Sequence, residues 1–156
     1  MKILLAIDGS SFSDAAVAEV ASKPWPPASE VKIISVAELP TLRVIEASAI
    51  SGSYLDEIEK AAQEQAEEVV NRAAEEIRGR QGHNLRITTK VIVGYPRSVI
   101  TNQAEEWGAD LIVVGSHGYR GLTKLWLGSV SQSVASHAKC SVEIVRSRNG
   151  EARPSL

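Results

Sequence analysis

Cysteine is nearly absent from this 156-residue sequence, where Cys140 stands alone. A single thiol excludes an intramolecular disulfide framework and a CxxC-type zinc site. No charge sign prevails either: Lys+Arg is 17 against Asp+Glu 19, a net charge of -2. That balance gives no electrostatic footprint for duplex nucleic acid or an anionic membrane. Long apolar runs are missing as well. The opening Met1–Ile7 run breaks at Asp8, too short for a signal peptide, and no stretch approaches the roughly 18 apolar residues of a membrane helix. The expected compartment is therefore a reducing cytoplasm. No internal repeat is visible. What is present is ordinary globular composition, 44% hydrophobic and 23% charged, which excludes a wholly disordered chain. At roughly 150 residues per domain the length corresponds to about one. The expected domain is 1–146, followed by a polar, flexible tail, 147–156.

Along the chain, strands alternate with helices. Lys2 to Ile7 reads as a strand buried on both faces. Ser10 or Ser11 can cap a helix whose inner positions include Ala16, Val17 and Val20. Pro24, Pro26 and Pro27 stop it, and Glu30–Val36 is a second strand. Residues 37–53 show no period, a length that suggests a lid, a variable insertion or partial disorder. A long helix follows, Tyr54–Arg80, with Leu55, Ile58, Ala62, Ala66, Val69, Ala73 and Ile77 on one stripe. Its many Glu residues read as a solvated outer face. Leu85–Val93 is a third strand, and Pro96 opens a helix that stops at Gly108. Asp110–Val114 is a fourth strand, Val130, Val134 and Ala138 outline a short helix, and Ser141–Val145 is a fifth strand. This is the βαβ pattern. It predicts an α/β fold: a doubly wound three-layer sandwich around a five-stranded, mostly parallel sheet of order 3-2-1-4-5. Ligands on such sheets bind beyond the carboxyl ends of the strands where the order switches, here between strands 1 and 4.

The loop after strand 4 reads Gly115-Ser116-His117-Gly118, then nine residues, then Gly128-Ser129-Val130-Ser131. Glycines allow φ > 0 and a close backbone approach, so consecutive N–H groups can converge on an anion. Gly128–Ser131 opens a helix, whose N-terminus offers unpaired N–H groups and a positive dipole end. A phosphate chain fits between the two; an ordinary tight turn with a capped helix is the plainer reading of the same residues. No Walker-type G-x-x-x-x-G-K-[ST] and no G-x-G-x-x-G after strand 1 can be read.

The spacing Gly115-x-x-Gly118, nine residues, Gly128-Ser129 resembles the G-2x-G-9x-G-[S/T] signature of ATP-binding universal stress proteins. Ile3–Ser10 is similar to that family's first strand, and Leu127–Ser131 with His137–Cys140 to its last helix. The likeness spans about residues 1–146. It implies ATP as ligand, with Mg²⁺ or Mn²⁺ carried on the nucleotide. It implies an adenine pocket at Ala6 and Val36, and Asp8 beside the ribose or the metal. Val114, Gly115, Ser116, His117 and Gly118 would form the ribose and phosphate segment, with Gly128, Ser129, Val130 and Ser131 at the phosphates and Arg120 as an extra phosphate partner. It further implies a homodimer through the last strand, an exposed edge that invites pairing. Three positions depart from the family: Ala6 and Ser141 stand where proline is common, and Glu143 interrupts a last strand that is usually apolar.

Several of these residues have plainer roles open to them. Asp8 can be a turn or capping aspartate, and His117, Tyr119 and His83 exposed loop residues. His137 suits a helix C-terminus. Cys140 reads as a small hydrophobe, Trp107 as core, and Trp126 as a packing or contact residue. No general base, arginine finger or Walker acid is evident, so the expected function is an ATP-binding stress-response switch acting by population shift, with at most slow hydrolysis. The alternative is a dimeric interaction or scaffold protein that binds no nucleotide. A phosphorylation receiver is set aside, because strand 3 ends Val93-Gly94-Tyr95 without a phosphoacceptor aspartate.

Overall fold

A computed structural model of the chain describes residues 1–38, 52–82, 84–118 and 127–146, with the side chains of 52–55 excluded. The described residues form nine alternating elements: β1 (Lys2–Ala6), α1 (Ser11–Ser22), β2 (Ser29–Ala37), α2 (Gly52–Gln81), β3 (Leu85–Val93), α3 (Pro96–Trp107), β4 (Leu111–Gly115), α4 (Ser129–His137) and β5 (Ser141–Val145). The sheet order is β3-β2-β1-β4-β5, as the sequence pattern predicts, and every pairing is parallel.

Strand periodicity divides the core into two layers. Ile3 and Leu5 of β1, and Ile7 just beyond it, point to one face, where Ala16, Val17 and Val20 of α1 and Val70, Ala73 and Ile77 of α2 cover them. Leu4 and Ala6 point to the other face, toward Ile100 and Ala104 of α3 and Val134 of α4. Because both faces are covered, β1 and β4 read as continuous apolar runs rather than alternating ones. The α2 stripe is buried at Ala66, Val70, Ala73, Ala74 and Ile77. Val70 and Ala74 widen the stripe expected from sequence, while Ile58, Ala62 and Val69 are only half-buried.

Local chemistry explains the helix ends. Ser10 is the N-cap of α1, and its side chain accepts from Ser13 N at 3.3 Å. Pro96 occupies the first turn of α3. Gly108 closes that helix at φ 67°, a left-handed conformation that glycine adopts without steric cost. Trp107 lies half-buried against the second layer. Cys140 packs there too, and burial pushes its thiol above the ordinary value, so it behaves as the small hydrophobe expected. Residues 39–51, most of the predicted lid, lie outside the described residues, as do His83, Tyr119, Arg120, Trp126 and the 147–156 tail.

Candidate functional site

β1 and β4 are neighbours, yet their following helices leave on opposite faces, so a crevice opens beyond their carboxyl ends. A cavity of about 860 Å³ occupies it. Its wall includes Ala6, Asp8, Val36, Val114, Gly115, His117, Gly118, Gly128, Ser129, Val130 and Ser131. Eleven of the thirteen residues singled out from sequence thus surround one space. Ser116 is not on the wall, and Arg120 lies outside the described residues.

Ser116 is 2% exposed and fastens the loop from behind. Its N–H donates to Val145 O at 2.8 Å, and its carbonyl accepts from Gly128 N at 2.8 Å and from Ser131 Oγ at 2.9 Å. The two ends of the glycine loop are therefore joined by hydrogen bonds. Ser131 Oγ also reaches Gly128 O at 2.9 Å, so its one proton is committed within the protein. What Ser131 offers a ligand is its backbone N–H. α4 begins without a side-chain cap, leaving its first-turn N–H groups at the cavity wall.

The three signature glycines are required by close contacts, not by positive φ. The described glycines with positive φ are Gly9, Gly82, Gly94 and Gly108. A Cβ on Gly115 would sit 2.7 Å from the backbone C and O of Phe12 in α1. On Gly118 it would meet Asp8 Oδ2 at 2.9 Å, and on Gly128 the Cα of His117 at 3.0 Å. The sequence expectation of left-handed glycines is thus replaced by one of steric clearance. Gly115 lets α1 lie against β4, Gly118 brings Asp8 against the loop, and Gly128 folds the loop onto itself.

Asp8 takes the turn role open to it and also stands on the cavity wall. Its Oδ1 accepts from Ser10 N at 3.0 Å, an Asx turn that leads into α1, and the residue is exposed on the cavity wall. The His117 ring packs on Phe12 with centroids 5.0 Å apart, and its Nδ1 lies 3.2 Å from Ser116 Oγ. Its Nε2 is buried without a hydrogen-bond partner. Among the described residues no group of three or more His, Cys, Asp or Glu side chains is placed to hold a metal ion.

Sequence reasoning missed part of the wall. Ala62, Gln65, Ala66 and Val69 of α2 line it, as do Tyr95 and Arg97 at the start of α3. Ala62, Ala66 and Val69 carried the same periodic signal as core positions, and only folding distinguishes a core position from a cavity wall. Arg97 had no local signal beyond following Pro96.

This fold and cavity define a parallel α/β protein with a cavity at its switch point. The universal stress protein family model matches residues 1–146. Universal stress protein YxiE of Bacillus subtilis is 32% identical over 151 residues, 93% of this chain and 98% of YxiE. The solved structure of MJ0577, from Methanocaldococcus jannaschii, superposes with a TM-score of 0.80 at 26% identity, covering 96% of this chain and 97% of that one. A universal stress protein family protein from Arabidopsis thaliana, solved with AMP bound, shares the fold at a TM-score of 0.62 and 20% identity, covering 99% of this chain and 96% of its own. The chain belongs to the universal stress protein family. No helix among the described residues is long and apolar enough to cross a membrane.

Proposed function

We propose that this chain is an ATP-binding stress-response switch. The observation that carries the reading is the single cavity walled at once by Gly118, Gly128 and the uncapped start of α4. Converging backbone N–H groups at a helix N-terminus suit a phosphate chain. Gly118 and Gly128 lack a Cβ that would press on Asp8 Oδ2 and on the His117 backbone, so the loop backbone itself forms this part of the wall. In this reading Val114, Gly115 and His117 flank the ribose and phosphates, and Ser129, Val130 and Ser131 hold the phosphates through backbone N–H groups. Ala6 and Val36 bracket the adenine, and Arg120 adds a phosphate contact. Mg²⁺ or Mn²⁺ arrives on the nucleotide, with Asp8 facing it. The likeness to the AMP-bound Arabidopsis thaliana protein carries the fold; the ligand assignment rests on this chain's own cavity and motif.

Turnover is at most slow in this reading. No lysine lines the cavity among the described residues, and Asp8 is already engaged by the Ser10 N–H. Output comes from a ligand-driven shift between states. The working form is a cytoplasmic homodimer joined through β5, the sheet edge on that side, and the functional unit is 1–146. Glu143 does not oppose this, because Lys23 Nζ holds both its oxygens at 2.7–2.8 Å. Light scattering checks the dimer, and a monomer at micromolar concentration refutes it.

The direct test is nucleotide binding. Denatured fresh protein is assayed for released nucleotide, and ATP is titrated by calorimetry into the apo chain and into Gly118→Ala. Binding by the parent that weakens in the variant supports the reading. A folded parent that neither releases nor binds ATP overturns it, in favour of the dimeric interaction protein.

A further inference from the structure

The amino groups of the described lysines are not equivalent. Lys23 is held by Glu143, Lys60 by Glu64 and Lys139 by Glu105. Lys90 Nζ donates to Gln103 Oε1 at 3.0 Å, and Lys2 Nζ donates to the Trp107 carbonyl at 3.0 Å. Lys32 is the exception among the described lysines, with neither a carboxylate in ion-pair range nor a hydrogen-bond acceptor. Its Nζ instead lies 4.5 Å from the centroid of the Trp107 ring, which Lys2 Nζ approaches at 5.5 Å.

Strand register creates this crowding. Lys2, Lys32 and Lys90 lie on β1, β2 and β3, on the sheet face that carries α3. Lys2 is opposite Glu30, two residues before Lys32, and Lys90 is opposite Ile34, two residues after it. The three cations therefore run diagonally across adjacent strands, and Trp107, at the end of α3, closes over Lys2 and Lys32. The π face of Trp107 attracts the ammonium and fixes its position. Burial, then the like charges of Lys90 and Lys2, push the Lys32 ammonium below the ordinary lysine value, while Glu106 and Glu30 pull it up.

We propose that Lys32 is an acylation site, the one among the described lysines that an acyl phosphate modifies first. The lone pair of neutral Nζ attacks the carbonyl carbon of the acyl phosphate. An N–C bond forms as the C–O bond to phosphate breaks. Phosphate leaves with the electron pair, and the surplus amine proton passes to it or to water. The product is a neutral amide over Trp107 that no longer repels Lys2 and Lys90. Lys32 lies in the amino-terminal half of β2, whereas the cavity adjoins the carboxyl end of that strand, so the site is independent of nucleotide occupancy.

The test exposes the folded full chain to limiting acetyl phosphate and follows each lysine by peptide mass spectrometry. Lys32 is expected to react several-fold faster than the ion-paired Lys60 and Lys139, and to lose that lead in urea. Lys90→Gln, at an exposed position, is expected to slow Lys32 and leave Lys60 unchanged. A Lys32 rate no faster than that of Lys60 overturns the proposal. So does a lead that survives in urea, or a Lys32 rate that ignores Lys90→Gln.

Discussion

Gly115→Ala separates what the glycine motif does for the fold from what it does for a ligand. The added methyl would lie 2.7 Å from the backbone C and O of Phe12 and 3.1 Å from its Cβ. Backbone in the first turn of α1 cannot swing aside as a side-chain end can, so α1 or β4 must shift. Overpacking of this kind costs about 1–3 kcal/mol. Gly115 has no positive φ, so alanine suits its backbone and recovers about 0.4–1 kcal/mol through the unfolded chain. The net expectation is a loss of about 1–2 kcal/mol. At this chain length that is roughly 2–8 °C in Tm. Urea unfolding should show a lower midpoint at unchanged slope. Among the described residues, Gly118→Ala meets only the Asp8 carboxylate, at 2.9 Å, a side-chain end that gives more easily than backbone. Its stability cost should be smaller than that of Gly115→Ala, within about 1 kcal/mol of the parent, while ATP affinity falls. A Gly115→Ala midpoint equal to or above that of the parent would refute the packing argument.

Other expectations follow from single contacts. Ser10→Ala removes the α1 cap and should cost about 0.5–2 kcal/mol in urea unfolding. Asp8→Asn keeps an oxygen for the Ser10 N–H and so preserves the turn. Its stability should hold while metal-dependent ATP affinity drops about 10–100-fold, the size of a lost charged hydrogen bond, as calorimetry would report. The hydrogen bond from Lys23 to Glu143 raises the Lys23 pKa above its ordinary 10.5. The stability this contributes is whole below pH 10.5 and is lost as pH rises through the higher folded value. Glu143→Gln should therefore flatten the alkaline limb of a stability profile; because the pair is partly exposed, it should cost less than about 1 kcal/mol near neutral pH.

The sequence by itself determined the order and type of the elements. Runs such as Leu111–Val114 must be buried on both faces, and the Pro96 and Gly108 boundaries follow from backbone constraints that act within a few residues. The same local physics marked the loop between Gly115 and Ser131, because glycine spacing and a helix start are both properties of contiguous sequence. Tertiary structure decided what those residues do. Ser116 looks like part of a cradle, but its carbonyl joins the loop ends, because Gly128 and Ser131 return to it. Gly115 looks like a phosphate glycine, but α1 rests on it. Ala62 and Val69 share the period of core residues and still face the cavity, while Lys2, Lys32 and Lys90, successively 30 and 58 residues apart in sequence, meet only because parallel register sets them two residues out of step. Contacts between distant segments depend on how the strands are ordered and how far each helix overhangs the sheet. No residue carries that information alone, so these roles became legible only once the chain was folded.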